Sequence, residues 1–197
     1  MAESTPRVPT PEAIQKRWQG LFDALNHEND RVCAIVATSY VEHCLRALLR
    51  KRFVKCDTAK GLLDPTRGAL GLLHDAAALA YSVGAISDGC RKNIERIGGI
   101  RNLFAHSIDE IGFSAANVVA LCNEIAVPIP AIIGATAFDN QTPEEAQYRT
   151  EANPRDRFTI ASCMICTTLM LDALGAEHMQ KRVDYWDHSP PPAPSNT

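Results

Sequence analysis

Apolar residues recur at steps of three and four along most of this 197-residue chain, which is the spacing of one face of an α-helix. No segment of any length alternates with the period of two that is typical of a strand. The pattern therefore predicts an all-α fold, a single-domain helical bundle of about six to seven helices. The predicted helices span residues 10–26, 29–53, 71–83, 87–107, 114–127, a short segment from 142, and 154–181.

Polar and turn-forming residues mark the boundaries of these segments. Ser87 and Ser114 precede periodic segments and can cap helix N-termini, and Gly84 can close the helix before it. Residues 61–71 contain Pro65 and three glycines, which indicates a loop. We expect residues 1–9 to be a disordered leader, 10–186 the helical domain and 187–197 a Pro-rich disordered tail. The pattern does not decide the conformation of residues 131–153.

The segment 29–53 is the best candidate for a central helix, because residues 32–37 are apolar on nearly every side. Its polar side is formed by Thr38, Glu42, Arg46 and Arg50. It ends in the basic run Arg50–Lys51–Arg52. Those cations suit the C-terminal end of a helix dipole, and a phosphate-contacting patch would need further basic residues from elsewhere.

Composition and charge narrow the class of protein. Nearly half of the residues are hydrophobic and the net charge is −3, which is ordinary for a soluble globular protein and gives no global attraction to nucleic acid. We find no export signal and no uninterrupted apolar run of about 18 residues that would span a bilayer. The seven cysteines are odd in number and mostly lie in apolar segments. We therefore expect a cytoplasmic protein with buried, reduced cysteines and no membrane association.

Several familiar kinds of site find little support in the sequence. Cys163 and Cys166 form a CxxC pair in mid-helix, whereas redox pairs lie at helix N-termini, and no second pair completes a zinc site. His27, His43 and His74 are scattered over different helices without ligand spacing. No Gly-rich phosphate loop or nucleophile elbow is present. We expect no metal and no cofactor.

Arg101, Asn102 and His106 form the most concentrated polar group, in the late turns of the helix whose apolar face is Ile94, Ile97, Ile100 and Phe104. Asn102 and His106 share a helix face at a spacing of four. The preceding Gly98–Gly99 costs about 1 kcal/mol per glycine, so it either kinks the helix or lets another helix approach closely.

Two interpretations of this group stay open. In the structural one, Asn102 and His106 hydrogen-bond to their surroundings and Arg101 pairs with Asp109 or Glu110. In the catalytic one, His106 transfers protons during metal-independent RNA cleavage while Arg101 neutralises the developing phosphate charge. A homodimer with this helix at its two-fold axis would supply two copies of each residue.

Three elements, with the start of the last helix, resemble the mannitol operon repressor family. They are Asn29–Asp30–Arg31 before an apolar helix, the segment Leu70–Ser87, and Ile100–Ser107; the last helix opens with Asn153–Pro154–Arg155–Asp156. The resemblance covers roughly residues 25–175 and departs from the family at Gly98–Gly99 and at Leu73–His74–Asp75. It implies an all-helical regulator that acts on transcription through partners, without a recognisable DNA-binding domain.

The spacing of Arg101, Asn102 and His106 also resembles that of HEPN domains, which are helical, often dimeric, and in many cases ribonucleases. This resemblance implies Arg101 and His106 as a catalytic pair that Asn102 orients.

Our leading hypothesis is a non-enzymatic, homodimeric regulator with an unidentified protein partner, acting by protein contact rather than by reading DNA. The alternative is a HEPN-like ribonuclease with RNA as its substrate. A weaker third hypothesis is a small-ligand sensor with a pocket between the central helices.

Overall fold

The computed structural model describes residues 11–126 and 153–180, which form seven α-helices and no strand. The predicted all-α helical bundle is therefore confirmed. The predicted leader 1–9, the short helix from Thr142 and the tail 187–197 lie outside the described residues. In chain order the helices are α1 (Pro11–His27), α2 (Asp30–Arg52), α3 (Asp57–Leu62), α4 (Leu73–Ser82), α5 (Asp88–His106), α6 (Ala116–Glu124) and α7 (Pro154–Gly175).

Helix α2 is the central element, as its apolar middle predicted. It packs against α7 and α5, while α1 and α6 also contact α7 and α4 contacts α5. Three tilted aromatic rings connect α5 to α7. The ring centroid of Phe113, which follows α5, lies 5.0 Å from that of Phe104 on α5 and 5.2 Å from that of Phe158 on α7. The core-facing residues of α2 that are wholly buried are Cys33, Ala34, Val41, Leu45, Leu48 and Leu49.

Side-chain oxygen atoms cap the start of three helices. The Val32 amide donates to Asn29 Oδ1 at 2.9 Å, the Cys90 amide to Ser87 Oγ at 3.2 Å, and the Asp156 amide to Asn153 Oδ1 at 2.9 Å. Each bond satisfies one of the donors that a helix N-terminus leaves without an intrahelical partner. The predicted Ser87 cap is confirmed. The expected Ser114 cap is wrong, because α6 begins after Ala115, which makes no side-chain cap bond.

Other boundaries also differ from the prediction. Helix α3 occupies residues 57–62, partly in the segment assigned to a loop, and its six residues are too few to show a periodic pattern. Helix α4 starts at Leu73 rather than at residue 71, so Leu72 lies outside the helix and is 69% exposed. The last helix ends at Gly175 rather than Lys181, and Leu174 near its end is 38% exposed. Gly84, with φ of 68°, follows α4 as predicted.

On α2, Arg46 differs most from the prediction. It belongs to the predicted polar side of the helix, yet it is only 7% exposed. Its guanidinium donates to the carbonyl of Gly71 and pairs with Glu42 at 3.3 Å. The loop that it holds is tightly closed, since a Cβ on Gly68 would lie 2.3 Å from the carbonyl oxygen of Leu62. A buried arginine thus anchors the connection between α3 and α4.

Candidate functional site

The second half of α5 carries Arg101, Asn102 and His106, and its rotation is fixed by burial of the opposite face. Ile94, Ile97, Ile100 and Phe104 are all wholly buried, as the apolar spacing predicted. Asn102 and His106 are therefore exposed, and Arg101 is half-buried. The polar group lies on the outer side of the helix, where it can meet a ligand or a partner.

The structure brings two of the three candidate residues together. Arg101 Nη1 donates to Asn102 Oδ1 at 2.9 Å, so the amide restricts where the guanidinium points. His106 lies in the last turn of α5 and makes no hydrogen bond or ion pair with any residue of 11–126 or 153–180. The expected pairing of Arg101 with Asp109 or Glu110 is not formed in this chain, because both acids lie beyond the helix end on the connection to α6.

A groove of about 400 Å³ lies beside these residues. Its walls come from α2, from α5 and from the start of α4. Arg101 and Asn102 line it, whereas His106 does not. The lining residues are Thr38, Glu42, Leu72, Leu73, His74, Ile94, Glu95, Gly98, Gly99, Arg101 and Asn102.

The two carboxylates of the groove are already paired. Glu95 accepts from Arg91 Nη1 at 2.6 Å and lies 3.4 Å from His74 Nδ1, while Glu42 pairs with Arg46. Sequence reasoning missed Glu95 and did not place Glu42 or His74 in one site. The spacing of four in Glu42–Arg46 and Arg91–Glu95 was the available signal for the pairs, but it says nothing about a shared groove.

Gly98 and Gly99 face two different helices, and α5 runs unbroken through them. A Cβ on Gly98 would lie 3.4 Å from Leu73 Cδ2 of α4, and one on Gly99 would lie 3.5 Å from Leu121 Cδ1 of α6. These are ordinary van der Waals distances, so the glycines sit where neighbouring helices pack, yet neither position strictly excludes a methyl group.

The residues of the first resembling motif form contacts that organise the end of α5. Arg31 Nη2 donates to the carbonyls of Ser107 and Asp109, each at 3.0 Å. Asp30 accepts from Arg155 Nη1 at 2.6 Å and from the Phe113 amide at 2.9 Å. Asn29–Asp30–Arg31 therefore ties the start of α2 to α7 and to the segment that follows α5.

The buried cysteines offer no reactive group. Cys163 and Cys166 are buried in the middle of α7, and no disulfide joins any of the seven cysteines. The expectation of buried cysteines is wrong for Cys56, which is exposed, and Cys90 is half-buried. Burial raises the pKa of Cys90 to about 11 and those of Cys122 and Cys163 to about 12, which keeps these thiols protonated. Within residues 11–126 and 153–180, no cluster of three or more His, Cys, Asp or Glu side chains could hold a metal.

Helices α2 and α7 are long and apolar enough to cross a bilayer by length and composition alone, with mean hydropathies of 1.4 and 1.6 over their best windows. About half of each window is buried inside the bundle, 56% and 50% respectively. Central helices of soluble bundles meet the same criterion, so the test by itself does not indicate a membrane protein.

These features define an all-α bundle with a groove along α5, a fold class that hosts several functions. No family model and no curated protein matches the chain. Among solved structures it is similar to MtlR in the X-ray structure of the MtlR–HPr complex from Escherichia coli, with a TM-score of 0.56 and 20% sequence identity. The match covers 79% of this chain and 99% of that one. At this identity the likeness shows the fold, which is MtlR-like.

Proposed function

We propose that this protein is a non-enzymatic regulator of the mannitol operon repressor kind, which acts on transcription through a protein partner rather than by reading DNA. We further propose that it is a cytoplasmic homodimer. The observation that carries the proposal is the MtlR-like fold, matched over 99% of a chain that was solved in complex with the protein HPr. The resembling motifs of the sequence lie within this same helical fold.

The distribution of cations supports protein contact over DNA reading. The net charge is −3. Arg31, Arg46 and Arg155 hold backbone carbonyls or carboxylates inside the fold and are not available to phosphates. The exposed run at the end of α2 sits at a helix C-terminus, whereas helix-turn-helix recognition helices contact bases through their N-terminal residues. Stable DNA binding would need a broader set of free cations.

Binding measurements with purified components test this proposal. We expect an HPr protein to bind the full chain saturably in isothermal titration calorimetry, and an unrelated protein of similar size and charge not to bind. In gel-shift assays at 150 mM salt we expect no sequence-specific DNA complex. Specific DNA binding by the protein alone would contradict the mechanism, and absence of HPr binding would remove HPr as its partner.

A HEPN-like ribonuclease is the second candidate, favoured by the Arg101–Asn102 hydrogen bond, in which an amide orients a guanidinium. The test is cleavage of total RNA in EDTA by wild type, His106→Ala and His43→Ala, an exposed histidine on α2 that serves as the matched control. Under the regulator proposal, none of the three cleaves RNA. Cleavage by wild type and His43→Ala that His106→Ala lacks would establish the ribonuclease instead.

A further inference from the structure

The segment after α5 holds one isoleucine almost completely in water. Ile108 is 99% exposed, whereas the next most exposed large apolar side chain in the described part of the chain, Leu72, is 69% exposed. Single exposed apolar residues are common on protein surfaces and need no explanation by themselves. Ile108 differs because the backbone on both of its sides is held in place.

Three hydrogen bonds fix that backbone. Arg31 Nη2 donates to the carbonyls of Ser107 and Asp109, and Ser107 Oγ donates to the same Asp109 carbonyl, all at 3.0 Å. The bond from Arg31 to the Ser107 carbonyl is of an ordinary kind, because the last carbonyls of a helix have no partner within the helix. The two bonds to Asp109 lie beyond the helix and rigidify the turn that projects Ile108. A projecting side chain on a fixed backbone loses little conformational entropy when it binds.

Ile108 and the groove lie along the same edge of the bundle. Arg31, Ile35, Thr38 and Glu42 follow one another on α2 at steps of four, three and four, so they share one face of the helix. Arg31 contacts the Ile108 turn at one end of this face, and Thr38 and Glu42 line the groove at the other. We call this face, with the adjoining part of α5, the α2–α5 edge.

The α2–α5 edge carries charged side chains of both signs that form no ion pair with any residue of 11–126 or 153–180. Arg101 bonds to Asn102 but pairs with no carboxylate, and the exposed Asp109 and Glu110 side chains pair with no cation, within the described ranges. The groove offers the exposed apolar wall of Leu72, and the turn offers Ile108. The edge thus presents an apolar projection flanked by acids next to an apolar-walled groove containing a cation.

We infer that a second copy of this chain docks on the α2–α5 edge. Ile108 of each copy enters the groove of the other, and Asp109 and Glu110 face Arg101 of the second copy. A two-fold axis makes such contacts reciprocal, so one surface that holds both the projection and the groove satisfies itself. The inference rests on the homodimer of the proposed function and names the surface that forms it.

Sedimentation equilibrium of the full chain from 1 to 100 μM tests the inference. Ile108→Ser removes an apolar side chain that has almost no contacts within its own chain, so the fold should be unaffected. We expect it to weaken dimerisation by roughly 100- to 10,000-fold, the effect of withholding two buried isoleucines, one from each copy. Met179→Ser is the matched control, because Met179 is 54% exposed beside the C-terminal end of α2, away from the edge, and should leave dimerisation unchanged.

A charge exchange tests the pairing independently of the apolar contact. Arg101→Glu alone should weaken the dimer, and adding Asp109→Lys and Glu110→Lys should restore it, since the charges are then reversed on both sides. A wild type that stays monomeric at 100 μM would overturn both the homodimer and this surface. A dimer that Ile108→Ser and Arg101→Glu leave intact would overturn this surface alone and place the interface elsewhere.

Discussion

Removal of Arg155 should destabilise the fold far more than removal of an exposed arginine. Arg155 lies in the first turn of α7 and donates to Asp30 Oδ1 at 2.6 Å. Its other terminal nitrogen donates to the carbonyls of Leu25, at 3.0 Å, and of Glu28 at the end of α1. One guanidinium therefore joins α1, α2 and α7.

The expected cost of Arg155→Ala is about 3 kcal/mol. A hydrogen bond to a charged group contributes roughly 1.5–3 kcal/mol, and the loss leaves the Asp30 carboxylate, 32% exposed, without its cation. The freed Glu28 carbonyl adds little, because Glu28 is exposed and water can replace the guanidinium. Arg96→Ala is the matched control: its ion pair with Glu124 is on the surface, where one partner is 58% exposed, and such pairs contribute below about 1 kcal/mol.

Urea unfolding followed by circular dichroism at 222 nm measures both variants. With an m-value of about 2 kcal/mol/M, a loss of 3 kcal/mol lowers the midpoint by about 1.5 M. The double variant Asp30→Ala/Arg155→Ala should lose less than the sum of the single losses, by about 1–2 kcal/mol, because the two residues contact each other. A single loss no larger than that of Arg96→Ala, or strict additivity, would refute the role assigned to this pair.

Three further substitutions test the local geometry. Gly99→Ala should raise the free energy of unfolding by about 0.5–1 kcal/mol in urea titrations, because a methyl group fits 3.5 Å from Leu121 and alanine favours the helix; a destabilised variant would contradict this. Gly68→Ala should lower it by roughly 2–4 kcal/mol, since the added Cβ would meet the Leu62 carbonyl at 2.3 Å, and an unchanged midpoint would contradict the closed loop. Asp64 accepts hydrogen bonds from the Thr66 and Arg67 amides, which lowers the pKa of its carboxyl below the ordinary 3.8. The carboxylate therefore stabilises the fold fully above about pH 3.8, and this contribution is lost as the pH falls through the lower pKa of the folded state. Asp64→Asn should reduce the loss of stability measured between about pH 5 and pH 2.

Local signals in the sequence were sufficient to predict the position and the buried face of α5, the helix that carries the site. The apolar steps at Ile94, Ile97 and Ile100 fix which face of α5 is buried, and the Ser87 side chain fixes where the helix begins. Both are interactions within a few residues of each other, which periodicity and capping rules can detect. The exposure of Asn102 and His106 follows directly from them.

Contacts between distant segments could not be predicted in this way. Asp30 and Arg155 are 125 residues apart, and a pair at that separation leaves no periodic trace in the chain. The resemblance to the mannitol operon repressors did single out both segments, and the structure supplies a physical reason: they form the joint between α2 and α7. Arg46 was misplaced for the same cause, because its burial depends on the Gly71 carbonyl of a distant loop.

The groove of one chain brings together only part of the group that RNA cleavage would need. General acid–base catalysis requires the proton-transferring group to be within hydrogen-bond reach of the bond that it cleaves. Arg101 lines the groove but His106 does not, and Arg101 is the single guanidinium among the lining residues, which also include the carboxylates of Glu42 and Glu95. A polyanion such as RNA placed in the groove would meet one arginine for its many phosphates. The small acidic turn of a second copy, with Asp109 and Glu110, could pair with that single arginine. If a second copy's acids pair with Arg101, the group of Arg101, Asn102 and His106 serves in this chain as part of an interface rather than as a catalytic centre.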